Sequence, residues 1–399
     1  MQYSYKTTIV DAIAPTRTSA KPANLILVGG GDPVLNTQDL TELARQVKQR
    51  TTVVNRLDYY DGDFDRQRLG DGWAWDDEPY YYSPQVSALN CNENLVKISI
   101  IPGKVGSIAT CVVQPAYPQL QIKNNVMTIT GDAPPDITYD RVEGRNIVHI
   151  SGTVPASFSP NLNPLATLTI MHPSMLTAYL VVQALRRQGV EVLHSLPHRV
   201  TLLPQANHVW ATHNSVPLSR LLTLMNKPSD NLIAECLLQA CGAAATGQST
   251  LGQNGSALTA TRAALSAQGV DLTRLHLVDG SGLSRQDLVS PANLVAVLEN
   301  LRNSALFHWF YSSLPVAGVD GPLGHRLKNS LAAGNCHAKT GYLTGVSTIA
   351  GYVTGKDGTP FVFAIMINNH VCSEADCEKA QDAIIEILAN HSKQRRTQA

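Results

Sequence analysis

His337-Ala338-Lys339-Thr340-Gly341-Tyr342-Leu343 is the stretch whose reading decides the fold. It opens a strand pair over 339–368. Val346 to Val353 is rich in β-branched and aromatic residues, Thr354 to Pro360 is dense in turn formers, and Phe361 to Ile367 is a second apolar, β-prone run. The pattern is a hairpin closed by a loop rather than by a two-residue turn. Lys339 falls where the chain enters the first strand. An edge strand offers unpaired N–H and C=O groups to an extended peptide. Lys-Thr-Gly there adds an ammonium and a hydroxyl that can hold a carboxylate, and a glycine that lets a ligand approach the backbone. Alone, the tripeptide reads more readily as a surface lysine beside a turn.

A chain of 399 residues is too long for one ordinary domain, and two or three are expected. Hydrophobic residues make up 44% and charged residues 16%, enough apolar material for a core and too little charge for disorder. Lys+Arg and Asp+Glu are both 31, so there is no electrostatic case for nucleic acid or an acidic membrane surface. No apolar run is long enough to span a bilayer. The cysteines (Cys91, Cys111, Cys236, Cys241, Cys336, Cys372, Cys377) show no metal-ligand spacing, and the histidines no pairing that points to a metal. Cys372 and Cys377 can bridge, and the odd count leaves the redox compartment open. Met1 to Thr8 carries no basic-then-apolar leader and reads like the middle of a domain.

Leu25 to Val28 is a buried strand. The Gly29-Gly30-Gly31-Asp32-Pro33 that follows lacks the spacing of a phosphate-binding loop and reads as a tight structural turn. Helices are expected from Thr37 to Lys48 on a Leu40, Leu43, Ala44, Val47 face, from Ser174 to Gln188 with Gly189 as the stop, from Leu218, from 257 to 268, from 291 to 301 and from 375 to 392. Trp73, Trp75 and Tyr80-Tyr81-Tyr82 raise carbohydrate stacking, but a packed loop with satisfied aromatic polar groups is the better reading. Short alternating segments punctuated by Gly and Pro between 95 and 150 make a β-rich subdomain. Pro228 and the apolar Leu232, Ile233, Leu237 and Leu238 put Ser229-Asp230-Asn231 at the head of a helix, where Ser229 can serve as a plain N-cap.

Three pieces stand together: Ser229-Asp230-Asn231, Asp279-Gly280-Ser281-Gly282-Leu283-Ser284, and Lys339-Thr340-Gly341. An SxN triplet is expected by chance about once in such a chain, and Ser159-Pro160-Asn161 is another without context. The pairing of a helix-head SDN with KTG about a hundred residues later is far more specific. With Leu27 to Leu35, Ser87-Ala88-Leu89, Asn92-Glu93-Asn94 and Ser313 to Gly318 in this order, the chain resembles a low-molecular-mass class C penicillin-binding protein of the D-alanyl-D-alanine carboxypeptidase/endopeptidase family, over nearly its whole length. The resemblance implies an α+β fold. It comprises a transpeptidase/β-lactamase-like domain, an antiparallel sheet between helical layers, formed by 1–22 and 206–399. An accessory region would be inserted at 23–205, with its inner β-rich part at about 95–150.

The same resemblance implies the roles. An upstream serine attacks the bond between two D-alanines. Ser229 relays the proton to the departing nitrogen. Asn231 bonds the substrate amide and the lysine of the serine motif, and Lys339 and Thr340 hold the terminal carboxylate. Gly341 lies beside the substrate, and the N–H of Tyr342 forms half the oxyanion hole. The Asp279 loop shapes a wall. No metal or organic cofactor is required. Peptidoglycan D-Ala-D-Ala peptides and acylating β-lactams are the implied ligands, and a periplasmic or cell-wall location the implied address. Two departures stand out. Tyr342 occupies a place usually held by Thr or Ser. And no serine here has a lysine three residues on: the nearest substitute, Thr18-Ser19-Ala20-Lys21, precedes Pro22 without helical periodicity. Leader and nucleophile are missing together, for which a start placed too far downstream, or a fragment, is the expectation. The alternative is a catalytically dead fold that binds peptidoglycan peptides.

Overall fold

Strands near the start of the chain build a sheet that draws on distant segments. The computed structural model describes residues 2–12, 22–62, 64, 67–159, 166–203, 207–248 and 255–392. The first elements are β1 (Lys6–Ala12), β2 (Ala23–Val28), α1 (Thr37–Lys48) and β3 (Val53–Tyr60). The β-rich run follows as β4 (Leu95–Ile101), β5 (Thr110–Gln114), β6 (Gln121–Ile129), β7 (Asp136–Arg141), β8 (Ile147–Pro155) and β9 (Ala166–Thr169). Then come α2 (Pro173–Arg187), β10 (Glu191–His194) and β11 (Asn207–Asn214). The C-terminal part holds α3 (Leu218–Asn226), α4 (Asn231–Thr246), α5 (Ser256–Ala267), α6 (Pro291–Arg302), α7 (Phe307–Ser313), β12 (His337–Leu343), β13 (Val346–Thr354), β14 (Pro360–Asn368) and α8 (Glu374–Ala389).

Among the described residues, five strands form a mixed sheet in the order β10-β3-β2-β1-β11. β1 runs antiparallel to both neighbours, and β2, β3 and β10 run parallel. Strands from both sides of the expected 22/23 and 205/206 boundaries therefore share one sheet. Helix α1 covers it as its periodicity demands: Asn36 caps the helix, accepting from the backbone N–H of Gln38 and Asp39, and Leu40, Leu43, Ala44 and Val47 are the buried face. These residues join Leu25, Leu27 and Leu57 of the sheet, Val181 and Leu185 of α2, and Val96, Ile98, Val148 and Ile150 of the β-rich part in one continuous core. That part is two three-stranded sheets, β5-β4-β9 and β6-β8-β7.

The glycine run after β2 is structural. A Cβ on Gly30 would sit 2.2 Å from the Lys6 carbonyl oxygen, so only glycine lets the strands cross so closely. Asp32 accepts from the Val34 N–H at 3.0 Å and lies 3.2 Å from His213 Nε2, which completes the turn.

The second sheet, β12-β13-β14, is wholly antiparallel. Period-two alternation gives it two covered faces. Ile349, Val353 and Phe363 pack with Ile385 and Ala389 of α8, while Ala350, Tyr352 and Val362 pack with Leu298 of α6 and Phe307, Phe310 and Tyr311 of α7. This is the expected sheet between helical layers. One local expectation needs correction. The hairpin of Val346 to Ile367 is present, but His337–Leu343 is a strand of its own on the sheet edge, joined to β13 by the two-residue turn Thr344-Gly345. Gly345 supplies the positive φ (75°) that the turn needs. Lys339 therefore sits within an edge strand opposite Ala350, not at the entrance to the hairpin.

Leu43 is fully buried between α1 and the five-stranded sheet. Leu43→Ala should lower the unfolding free energy by about 2–5 kcal/mol, read as an earlier urea midpoint. An unchanged midpoint would show that this core is not continuous.

Candidate active site

The link between α3 and α4, Lys227-Pro228-Ser229-Asp230, is fixed before any chemistry is asked of it. Lys227 Nζ donates to both Asp320 carboxylate oxygens at 2.7 and 2.9 Å, and Asn226 Nδ2 donates to Ser313 Oγ at 2.8 Å. Asp230 is the N-cap of α4, its carboxylate accepting from the Ile233 N–H at 2.8 Å. Capping thus falls to the aspartate and leaves the Ser229 hydroxyl for other work. Ser229 has φ 66°, a left-handed backbone that a non-glycine residue adopts only under constraint. That twist turns its side chain toward the second sheet.

From β12, Lys339 Nζ donates to Ser229 Oγ at 2.7 Å and to the Thr340 carbonyl at 2.7 Å. Two motifs 110 residues apart meet in this contact. No carboxylate pairs with the ammonium among the described residues. Burial alone pushes its pKa down to about 8. Beyond it opens a cavity of about 650 Å³ lined by Ser229, Asn231, Thr340, Gly341 and Tyr342, with Tyr82, Leu283 and Arg285 on its walls. Every expected site residue thus lines one cavity or, in the case of Lys339, bonds to a residue that does. Asn231 is the first residue of α4, and its Nδ2 donates to the Tyr82 carbonyl at 2.8 Å. The Thr348 hydroxyl donates to the Gly341 carbonyl at 3.3 Å, and a Cβ on Gly341 would come within 2.6 Å of that hydroxyl. Tyr342 lies opposite Ser347 with its ring largely exposed. A larger cavity, about 920 Å³, opens elsewhere between Asn36, Asn92, Lys97 and Asp230, and none of the expected site residues lines it. Thr18 to Lys21 and the Pro160 and Asn161 of the second SxN lie outside the described residues.

The glycine-rich loop at Asp279 is held from beneath. Asp279 accepts from the Gly282 and Ser284 N–H groups at 2.7 and 2.8 Å and from Trp73 Nε1 at 2.9 Å. The fully buried Glu235 accepts from the Gly280 and Ser281 N–H groups at 3.0 and 2.8 Å. Burial first, and then the Asp279 charge, raises the Glu235 carboxyl well above its ordinary range. Arg285 Nη2 reaches across to the Thr344 carbonyl at 2.8 Å, tying this loop to the hairpin turn. Sequence reasoning assigned no role to Glu235, Arg285 or Thr348. Arg285 follows the Asp279 loop directly in sequence, the one signal available for it. In the aromatic stretch, Trp73 and Tyr82 have their polar atoms satisfied, whereas Trp75 and Tyr81 are exposed.

An antiparallel sheet between helical layers, with a lysine on its edge strand facing a serine at a helix head, is the architecture of the penicillin-binding transpeptidase class. The comparisons agree. Residues 1–391 match the D-Ala-D-Ala carboxypeptidase 3 (S13) family, and the chain belongs to that family. The D-alanyl-D-alanine carboxypeptidase of Actinomadura sp. (strain R39) is 33% identical over 404 residues, spanning 98% of this chain and 73% of that protein. The D-alanyl-D-alanine carboxypeptidase DacB of Haemophilus influenzae is 28% identical over 375 residues, spanning 92% and 76%. The crystal structure of penicillin binding protein 4 (dacB) from Haemophilus influenzae superposes with a TM-score of 0.80 at 24% identity, covering 98% of this chain and 85% of that one. The chain is thus a low-molecular-mass class C penicillin-binding protein by family and fold.

A lysine titration tests the desolvated site. With isotope-labelled lysine, the NMR signal of Lys339, identified by its loss in Lys339→Met, should move with a midpoint near 8. A solvated lysine titrates at about 10.4. A midpoint of about 10 for Lys339 would show that its ammonium is open to water.

Proposed function

We propose that residues 206–399, with residues 1–22, hold the proton-relay and carboxylate-binding half of a serine-type D-Ala-D-Ala carboxypeptidase site, with 23–205 as an accessory region. The supporting observation is the 2.7 Å contact of Lys339, on a sheet edge, with Ser229, which lines a cavity. Such an edge suits a peptide that ends in a carboxylate. The terminal D-alanine would lie along β12, its carboxylate held by the Lys339 ammonium and the Thr340 hydroxyl, both charge-assisted donors. Gly341 keeps the strand surface open to it. In the reaction, a serine adds to the carbonyl between the two D-alanines and the resulting oxyanion takes the Tyr342 N–H. The C–N bond then breaks as Ser229, accepting one proton and giving up another, hands a proton to the leaving nitrogen. Water cleaves the acyl-enzyme. Asn231 orients the peptide amide. Peptidoglycan stem peptides are the substrate class, β-lactams the acylating inhibitors, and the periplasm or cell wall the place of action.

Ser229 cannot be both relay and nucleophile, and no serine in these 399 residues carries a lysine three positions on. We therefore propose that this polypeptide binds D-Ala-D-Ala peptides reversibly and is not itself acylated. A fluorescent penicillin tests both parts. The chain should resist covalent labelling, while a variant carrying an Ser-x-x-Lys helix ahead of Tyr5 should label. Labelling of the 399-residue chain that survives Ser229→Ala would mean that a different serine or threonine is the nucleophile.

Peptide binding has a signed pH dependence. Lys339 is charged below about pH 8 and loses its proton as pH rises through that value. Affinity for a D-Ala-D-Ala peptide, measured by calorimetry, should be flat from pH 6 to 7.5 and then fall by up to about tenfold per pH unit. Lys339→Met should weaken binding about 10- to 100-fold, the worth of a charge-assisted hydrogen bond, and should flatten the pH profile. An unaltered affinity in Lys339→Met would remove Lys339 from the carboxylate site.

A further inference from the structure

The turn between β14 and α8 brings together three side chains whose spacing, His-x-Cys-x4-Cys, matches no familiar ligand pattern. His370, Cys372 and Cys377 offer ligand atoms that all lie within 4.8 Å of one another. Cys372 Sγ is 3.5 Å from Cys377 Sγ and 3.8 Å from His370 Nδ1. Around a tetrahedral zinc ion, ligand atoms of these kinds stand about 3.6–3.8 Å apart. A disulfide needs its sulfurs at about 2.05 Å and would leave the histidine unexplained.

The surroundings supply an independent observation. The His370 side chain is 9% exposed, and among the described residues its Nε2 has no hydrogen-bond partner. It faces Glu374 Oε2 at 3.9 Å, itself a buried carboxylate oxygen without a hydrogen-bond partner among the described residues. The other oxygen of Glu374 accepts from the Ser347 hydroxyl at 2.6 Å. Nδ1 also lies 3.2 Å from the Cys372 carbonyl oxygen. If neutral His370 used its Nδ1–H there, the Nε2 lone pair would point at a carboxylate. A cation on Nδ1 reverses this: it fixes the proton on Nε2, where Glu374 can accept it. That is the carboxylate–histidine–metal relay found behind many zinc ligands.

We propose that His370 Nδ1, Cys372 Sγ and Cys377 Sγ bind a divalent zinc ion, with Glu374 orienting the histidine. Two thiolates and an imidazole are a donor set that selects zinc over harder cations. Cys377 is buried and Cys372 exposed, so water can fill the fourth position from the solvent side. Binding forms two Zn–S bonds and one Zn–N bond and releases the two thiol protons to solvent. The ion would clamp the start of α8 to the end of β14. Through Glu374 and Ser347, the register partner of Tyr342, the clamp adjoins the cavity wall. It needs no part in the peptidase chemistry.

The test uses the full chain, reduced with a phosphine, and Co2+ as the spectroscopic stand-in for Zn2+. One equivalent should bind with a sulfur-to-cobalt charge-transfer band and the visible bands of a four-coordinate site, and Zn2+ should abolish both. Cys372→Ser, at an exposed position, should lose most of the charge-transfer band while its circular dichroism stays that of the parent. Glu374→Gln should weaken binding about 10- to 100-fold. Cys241→Ser, at an exposed cysteine elsewhere, should leave the spectrum unchanged. The absence of a charge-transfer band in the reduced parent would overturn the proposal. So would a band that Cys372→Ser leaves intact, or a Cys372–Cys377 disulfide in the isolated protein whose reduction restores no metal binding.

Discussion

The site depends on one unfavourable placement. Lys339 carries its ammonium into partly dehydrated surroundings with a serine hydroxyl and a carbonyl as its partners. Removing a charge from water without a counter-ion costs free energy. Here the cost appears as a pKa drawn down to about 8. The folded state releases this proton more readily than the unfolded chain, so between about pH 8 and the ordinary lysine range this group makes the fold more stable as pH rises. At neutral pH the charge works against the fold. What holds the lysine in place is the sheet around it, with α8 on one face and α6 and α7 on the other. A carboxylate ligand would supply the missing counter-ion, and the protein spends stability to keep that place open.

An edge strand normally invites unwanted pairing, and proteins blunt such edges. β12 keeps its edge short and sets a charged lysine within it. The neighbouring segments are fastened elsewhere: Lys227 to Asp320, Asn226 to Ser313, and Arg285 to the Thr344 carbonyl. The serine, the glycine-rich loop and the strand can therefore frame the cavity without filling it.

Much of this was legible in the sequence where a local pattern and a tertiary demand coincide. The Thr37–Lys48 helix appears with its four expected core residues because a 3.6-residue period on a covering helix allows one buried face. Strand β12 was read only as the entry to the hairpin's first strand, because Lys339 and Gly341 weaken the apolar alternation and the turn Thr344-Gly345 that separates it from β13 carries little local signal. The sharing of one sheet by β1, β2 and β11 was equally invisible, since long-range pairing leaves no local signature. Within the site, the motif residues could be read from their spacing. Glu235 could not: on an apolar helix it looks like any polar interruption, and only the fold shows it beneath the Gly280 and Ser281 N–H groups.

Glu235 and Asp287, whose carboxylate accepts from the Val278 N–H at 2.7 Å, sharpen the electrostatic logic. Burial and the proximity of Asp279 raise both carboxyls above their usual range. For an acid so shifted, the folded state binds more protons than the unfolded chain, so this contribution to stability is complete at low pH and is lost as pH rises through the raised pKa. Lys339 has the opposite sign: its contribution grows with pH. The two effects on stability have opposite signs. Below about pH 7 the Glu235 carboxyl keeps its proton and Lys339 keeps its charge. For the proposed carboxylate ligand the counter-ion is then present, and it is lost as the medium becomes alkaline.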